Sequence, residues 1–163
     1  MTFEDYVAQR GQPLLRLAFV LTGDPHLAED LTQTALANAY RHWRTVDAAG
    51  NRDAYVRRIL VNAHLSWHRR RSSTEQPAPA APEIGAEADV ADAVVARDQT
   101  RRLLNTLAPR ARTILVLRYY ADLDDAAIAE VMRLRPSTVR ATASRALAAL
   151  RDGMVHDDLE ETR

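Results

Sequence analysis

Residues 52–71 read RDAYVRRILVNAHLSWHRRR, and their side chains are suited to two kinds of chemistry. Six arginines against a single acid, Asp53, can neutralise a row of phosphates, with Tyr55 and Trp67 interleaved. His64 and His68 stand four apart, a spacing at which one helix can offer two imidazoles to a metal. No glutamate follows His64, no third ligand is evident, and the chain has no cysteine. The histidines therefore read as surface residues beside DNA, with neither a metal nor a catalytic role. No glycine-framed serine presents a nucleophile. Tyr55 and Trp67, at helical spacing, read as packing residues.

So basic a segment is conspicuous in a 163-residue chain whose formal charge is zero. Neutrality hides blocks: residues 1–50 carry a net −2, 51–74 carry +5, 75–100 carry −5, 101–151 carry +6 and 152–163 carry −4. Two basic blocks around an acidic spacer suggest two contacts with a polyanion. All the basic residues are arginine, which carries little weight if the genome is GC-rich. The absence of cysteine excludes disulfides and thiolate metal sites. No apolar run approaches the ~20 residues that span a bilayer, and MTFEDYVAQR lacks the order of a signal peptide, so a cytoplasmic protein without membrane insertion is expected.

The elements that must position these residues are helices throughout. Apolar positions recur at helical spacing from Phe3 to Leu21, ending at Thr22-Gly23. Asp24-Pro25 supplies an N-cap and a first-turn proline for a helix to about Trp43. TVDAAGN, residues 45–51, reads as a loop, with Asn51 capping a helix that ends near Arg69–Arg71. The segment from Ser72, SSTEQPAPAAPEIGAEAD, is a linker of prolines, small residues and acids. Further helices are expected from about Val90 to Asn105, from Pro109 to Tyr120, over 125–132 behind Asp124, and from about Ser137 to Arg151. The tail DGMVHDDLEETR should fray. The fold class is all-α, with two small helical domains at 1–72 and 90–151, a flexible linker at 73–89 and an acidic tail at 152–163.

The helices 125–132 and 136–151 have the dimensions of a helix-turn-helix. Val139, Ala143, Ala146, Leu147 and Leu150 form the buried stripe of the second helix. Ser137, Thr138, Arg140, Ala141, Ser144 and Arg145 are left outward, where a recognition helix meets base edges and phosphates. Arg140 can be bidentate to guanine, and the small residues allow close approach. Arg112 and Arg118 are further candidates for phosphate contacts.

At this point the residues match a family. LNTLAPRARTILVLRYYADLDDAAIAEVMRLRPSTVRATASRALAALR resembles the −35-binding domain of extracytoplasmic-function (ECF) sigma factors. LLRLAFVLTGDPHLAEDLTQTALANAYRHW resembles their polymerase-binding helix, and DAYVRRILVNAHLSWHRRR their −10-recognising helix. The likeness covers nearly the whole chain, and the short actinobacterial form is the most similar. It implies three partners: core RNA polymerase, through its clamp helices and flap; promoter DNA; and an anti-sigma factor. No cofactor is implied. The family's polymerase contacts fall on Glu29, Asp30, Gln33, Asn38 and Arg41. Its −10 contacts fall on Ala48, Ala49, Gly50, Asn51 and Arg52 in a loop, and on Asn62. Arg57, Arg58, Arg69, Arg70 and Arg71 are placed to hold phosphates. Where the family has glycine in the turn and serine as cap, this chain has Arg133, Arg135 and Pro136, so the turn must form without a residue that favours positive φ. Ala127, Ala141 and Thr142 also depart from the pattern, which leaves the −35 preference open. The rival reading is a stand-alone helix-turn-helix regulator, which leaves helix 25–43 without a task. The acidic linker and tail are expected to screen the basic faces.

Overall fold

A computed structural model describes residues 1–73 and 91–161, with side chains for 1–73 and 98–156. The linker read from the sequence thus lies, but for its first residue, outside the described residues. Eight α-helices make up the described chain, and no strand occurs among the described residues. The first, α1 (Phe3–Thr22), starts in a capping box in which the Thr2 hydroxyl accepts from Asp5 N–H, while Asp5 accepts from Thr2 N–H. It stops at Gly23, whose φ of 67° is cheap only without a β-carbon. Asp24 then accepts from the backbone of His26 and Leu27 and opens α2 (Pro25–Arg41).

The expected loop after α2 is mostly helix. His42 breaks the ladder, and α3 (Trp43–Ala48) follows at once. Aromatic contacts supply the reason: Trp43 packs edge-on to Phe3 at 5.4 Å and donates its indole N–H to Met1 O. These contacts hold residues 43–48 against α1 and leave only Ala49 to Asn51 outside helices. Asn51 caps α4 (Arg52–Ser73) by accepting from Ala54 N–H at 3.0 Å.

The second half contains α5 (Ala91–Asn105), α6 (Pro109–Tyr119), α7 (Asp125–Met132) and α8 (Pro136–Glu161). Asp124 caps α7 through Ala127 N–H at 2.8 Å. The last helix does not end near Arg151 but continues to Glu161, so the expected fraying is not what is found. Gly153, in that tail, sits where a β-carbon would lie 3.4 Å from Leu103 Cδ2. Packing of α5 against that position carries the helix through a residue of poor intrinsic propensity.

The two halves are packed together. In α6, Thr113 to Leu117 are five consecutive buried residues, which one apolar face cannot accommodate. One side of this helix meets α7 and α8, and the other meets α1 and α4; α7 also packs on α4. Ile114, Leu117 and Ile128 therefore belong to the same apolar cluster as Leu21, Leu60 and Val61.

In the turn between α7 and α8, Arg133 adopts φ 54°, ψ 47° and donates its N–H to Ala129 O. The turn thus keeps the left-handed cap without glycine. A side chain in that conformation costs roughly 1–2 kcal/mol, part of which glycine would return as unfolded-state entropy. Arg133→Gly should therefore stabilise the chain by roughly 0.5–1 kcal/mol, read as a higher urea midpoint with an unchanged slope.

Candidate nucleic-acid interface

The outward face of α8 is built as its periodicity requires. Val139, Ala143 and Ala146 are buried against α6 and α7, and Leu147 and Leu150 are partly buried. Ser137, Thr138, Arg140, Ala141, Ser144 and Arg145 are all exposed. They form one continuous surface that begins at the helix N-terminus, where a groove-reading helix makes its base contacts. Arg112 and Arg118 are engaged elsewhere. Arg112 donates to Leu104 O and Leu107 O, bracing the α5–α6 turn, while Arg118 pairs with Asp125. Both serve the fold of the second half.

On α4 the basic residues divide between two environments. Asn62, Arg69 and Arg70 are exposed, and the Arg71 guanidinium lies 4.9 Å from the centroid of the Trp67 ring. Arg52 donates to Asp47 at 2.7 Å, a bond that pulls the Asp47 carboxyl below its usual range. Ala48, Gly50 and Asn51 are exposed and Ala49 is half-buried, so the short connection is accessible. Arg58 lies at the seam, 3.8 Å from Glu130 of α7 and 5.8 Å from the Tyr55 ring centroid. Tyr55 packs on the core as expected, whereas Trp67 stacks on its own helix with His68 and Arg71.

Arg57 lines an open cleft of about 420 Å³ with Arg10, Arg16, Tyr6 and, from the second half, Tyr120. Asp53 sits in the same cleft, 3.3 Å from Arg10. Burial first, and the Asp53 carboxylate second, push the Tyr6 phenol above its ordinary pKa. Three guanidiniums against one carboxylate extend the positive surface of α4 onto α1. Arg10 and Arg16 are contributions that periodicity does not reveal, because their proximity to Arg57 depends on how α1 and α4 pack.

Along α2, Leu31 and Ala35 are buried and Leu27 and Leu36 half-buried, leaving Glu29, Asp30, Gln33, Asn38 and Arg41 exposed. Asn38 Oδ1 lies 3.1 Å from His42 Nδ1. Tyr40, 62 % exposed, extends this surface and packs on Phe3 with ring centroids 5.0 Å apart. An exposed tyrosine beside charged residues is a common anchor for a protein partner.

The histidine pair, expected at the surface, instead occupies the seam, because α6 and α7 pack over this part of α4. His64 is fully buried, and neither ring nitrogen has a hydrogen-bond partner among the described residues; Arg58 Nε is likewise buried and unpaired. The His68 ring stands edge-on at 4.6 Å. Burial first, then the positive charges of His68 and Arg112, lower the His64 pKa from 6.5 to about 3. No cluster of three or more metal-ligating side chains occurs among the described residues.

Comparison with known proteins matches two stretches of the chain. Residues 6–74 match sigma-70 region 2, and residues 97–150 match sigma-70, region 4. An RNA polymerase sigma-E factor of Streptomyces coelicolor is 37% identical over 160 residues, covering 98% of this chain and 90% of the relative. The sigma-E factor of Streptomyces avermitilis is 34% identical over 160 residues, covering 98% and 89%. The ECF RNA polymerase sigma factor SigE of Mycolicibacterium smegmatis is 27% identical, with 93% of this chain and 61% of the relative aligned. Among solved structures, the sigma factor RpoE of Bartonella quintana, crystallised with the anti-sigma factor NepR, has a similar fold. The TM-score is 0.70 at 21% identity, over 92% of this chain and 94% of that one.

The buried imidazole makes stability depend on pH. Between 6.5, its ordinary value, and about 3, the value in the packed chain, the packed form binds one proton fewer than a form with His64 in water. Packing is fully favourable above pH 6.5 and loses up to about 1.4 kcal/mol per pH unit below it. Urea midpoints should fall between pH 7.5 and pH 5.5, and fall less in His64→Leu.

Proposed function

The chain belongs to the sigma-70 family of RNA polymerase sigma factors, in its extracytoplasmic-function branch, and on that premise we propose how its surfaces divide the work of transcription initiation. As an alternative sigma factor it directs core RNA polymerase to promoters. Units 1–72 and 90–151 act as the −10 and −35 domains, with 73–89 as their connection and 152–163 as an acidic extension. The polymerase supplies the catalysis of RNA synthesis, and this chain supplies address and strand separation.

Support for the polymerase contact is the exposed face of α2. Glu29, Asp30 and Gln33 pair with basic groups of the clamp, and Asn38 and Arg41 extend the footprint. The flap is the natural partner of the second unit. For the −10 element, Ala48 to Arg52 and Asn62 meet unstacked bases, which need polar edges and close backbone approach. Arg57, Arg58 and Arg69 to Arg71 hold phosphates on either side. For the −35 element, Arg140 reads a base edge, Ser137, Ala141 and Ser144 allow close approach, and Thr138 and Arg145 anchor the backbone.

One observation carries this reading: a region 2 match and a region 4 match in one chain, in that order, over 6–74 and 97–150. A stand-alone regulator is not favoured, because it needs only the second. An anti-sigma factor is a third partner, as in the structural neighbour solved with one. No described helix is long and apolar enough to cross a membrane, in keeping with action beside the polymerase in the cytoplasm.

Two measurements test the assignments. Asp30→Arg places a cation where the clamp presents cations, and should weaken binding to purified core polymerase at least tenfold while leaving the urea midpoint unchanged. Arg140→Ala should reduce the affinity of the holoenzyme for its −35 element by about 1–3 kcal/mol and relax the preference at one base pair. Uniform weakening over all sequences would assign Arg140 to a phosphate instead.

A further inference from the structure

We propose that Arg133 and Arg135, in the turn between α7 and α8, bind DNA phosphates at the rim of the groove that α8 enters and so fix its register on the duplex. The inference rests on the functional reading above and extends it to two residues which that reading leaves without a task. Both side chains are exposed, and neither makes a hydrogen bond or an ion pair among the described residues. The nearest acid in sequence, Glu130, faces Arg58 of α4.

The fold itself supplies no reason for arginine at either place. Arg133 holds φ 54° and ψ 47°, a conformation at which glycine is at ease and a β-carbon is strained. Its N–H, donating to Ala129 O, is what serves the turn, and glycine would offer the same N–H. Arg135 serves the turn through its carbonyl, which accepts from Thr138 N–H at 3.0 Å and from Val139 N–H at 3.1 Å. Its guanidinium stands at the start of α8, where the helix dipole opposes a cation and no acid occurs in the first turn to offset it. At both positions arginine is the less stable choice for the backbone. Strain kept beside a binding surface points to a task for the side chain.

Placement supplies the task. An α-helix about 10–12 Å across fills a major groove about 12 Å wide, so the chain leading into it lies at the groove's edge, where the phosphates run. Arg135 precedes Ser137 by two residues and Arg133 by four. Their Cα atoms therefore lie within roughly 7 and 14 Å of the first outward residue of α8. Together with Thr138 and Arg145 they surround the single base-reading arginine, Arg140, with contacts to the backbone. The −35 unit thus draws more of its affinity from charge than from base edges, and that share falls as salt rises.

The test measures the affinity of the holoenzyme for random-sequence duplex, and for duplex carrying its −35 element, between about 50 and 200 mM salt. The variants are Arg133→Gly, Arg135→Ala, the two combined, Arg133→Lys and Arg135→Lys. Each arginine removed should reduce the slope of log affinity against log salt by about 0.9, which makes the loss of affinity over that range about 3.5-fold smaller. Arg133→Gly should do this while raising the urea midpoint, so that DNA affinity at low salt and stability move in opposite directions. Both lysine variants, which keep the charge, should keep the natural slope, and every variant should keep the natural preference at each base pair of the element. An unchanged slope in the combined variant would overturn the proposal. So would a slope reduced as much by lysine as by glycine or alanine, or a preference lost at one base pair, which would assign the side chain to a base edge. Failure of the natural chain to bind polymerase contradicts the functional reading instead; the slopes of the full-length chain alone on random-sequence duplex then still decide whether these arginines hold phosphates.

Discussion

The joining of the two halves depends on α6, whose central five residues have no solvent side. With Thr113 to Leu117 all buried, it needs neighbours on both flanks. Its own unit supplies α7 and α8 on one, and the other unit supplies α1 and α4 on the other. Burying an aliphatic side chain is worth about 1.5–3 kcal/mol, so exposing even two of these residues is a substantial fraction of a small domain's stability. Each half is near the size at which a helical core barely sustains itself. Sharing α6 lets both halves draw on one core.

That arrangement sets the terms for function. The surfaces assigned to bases and polymerase, the α8 N-terminal face, the short connection before α4 and the outer face of α2, remain accessible while the halves are packed. The inner surface of α4 does not. It carries a fully buried histidine and an arginine whose Nε has no hydrogen-bond partner among the described residues. A buried polar group left unsatisfied costs about 1–3 kcal/mol, comparable with what one buried aliphatic residue contributes. Apolar burial and unsatisfied polar groups thus oppose each other across one seam.

Most of the helices were legible from local signals. Asp24-Pro25, Asn51 and Asp124 mark starts that the structure realises, and Gly23 marks a stop, because capping is a contest among a few adjacent atoms. The two misjudged spans, 45–48 and 152–161, are helical because of distant contacts: Trp43 on Phe3 in one case, α5 against Gly153 in the other. Arg112 and Arg118 looked like DNA ligands, since a sequence shows charge but not the carbonyls and the carboxylate to which that charge turns. Arg133 was legible as an anomaly, and the left-handed turn it adopts is the anomaly's resolution. TILVL inside a helix exceeds what a single face can bury, and it announces a second surface.

This chain gives core polymerase its promoter address. The direct measurement adds the purified chain to core RNA polymerase on fragmented genomic DNA and maps the 5′ ends of the RNA made. New start sites that depend on the chain are expected, each preceded by one shared pair of sequence elements near −35 and −10. Polymerase that binds the chain yet starts at the same positions with and without it would contradict the claim.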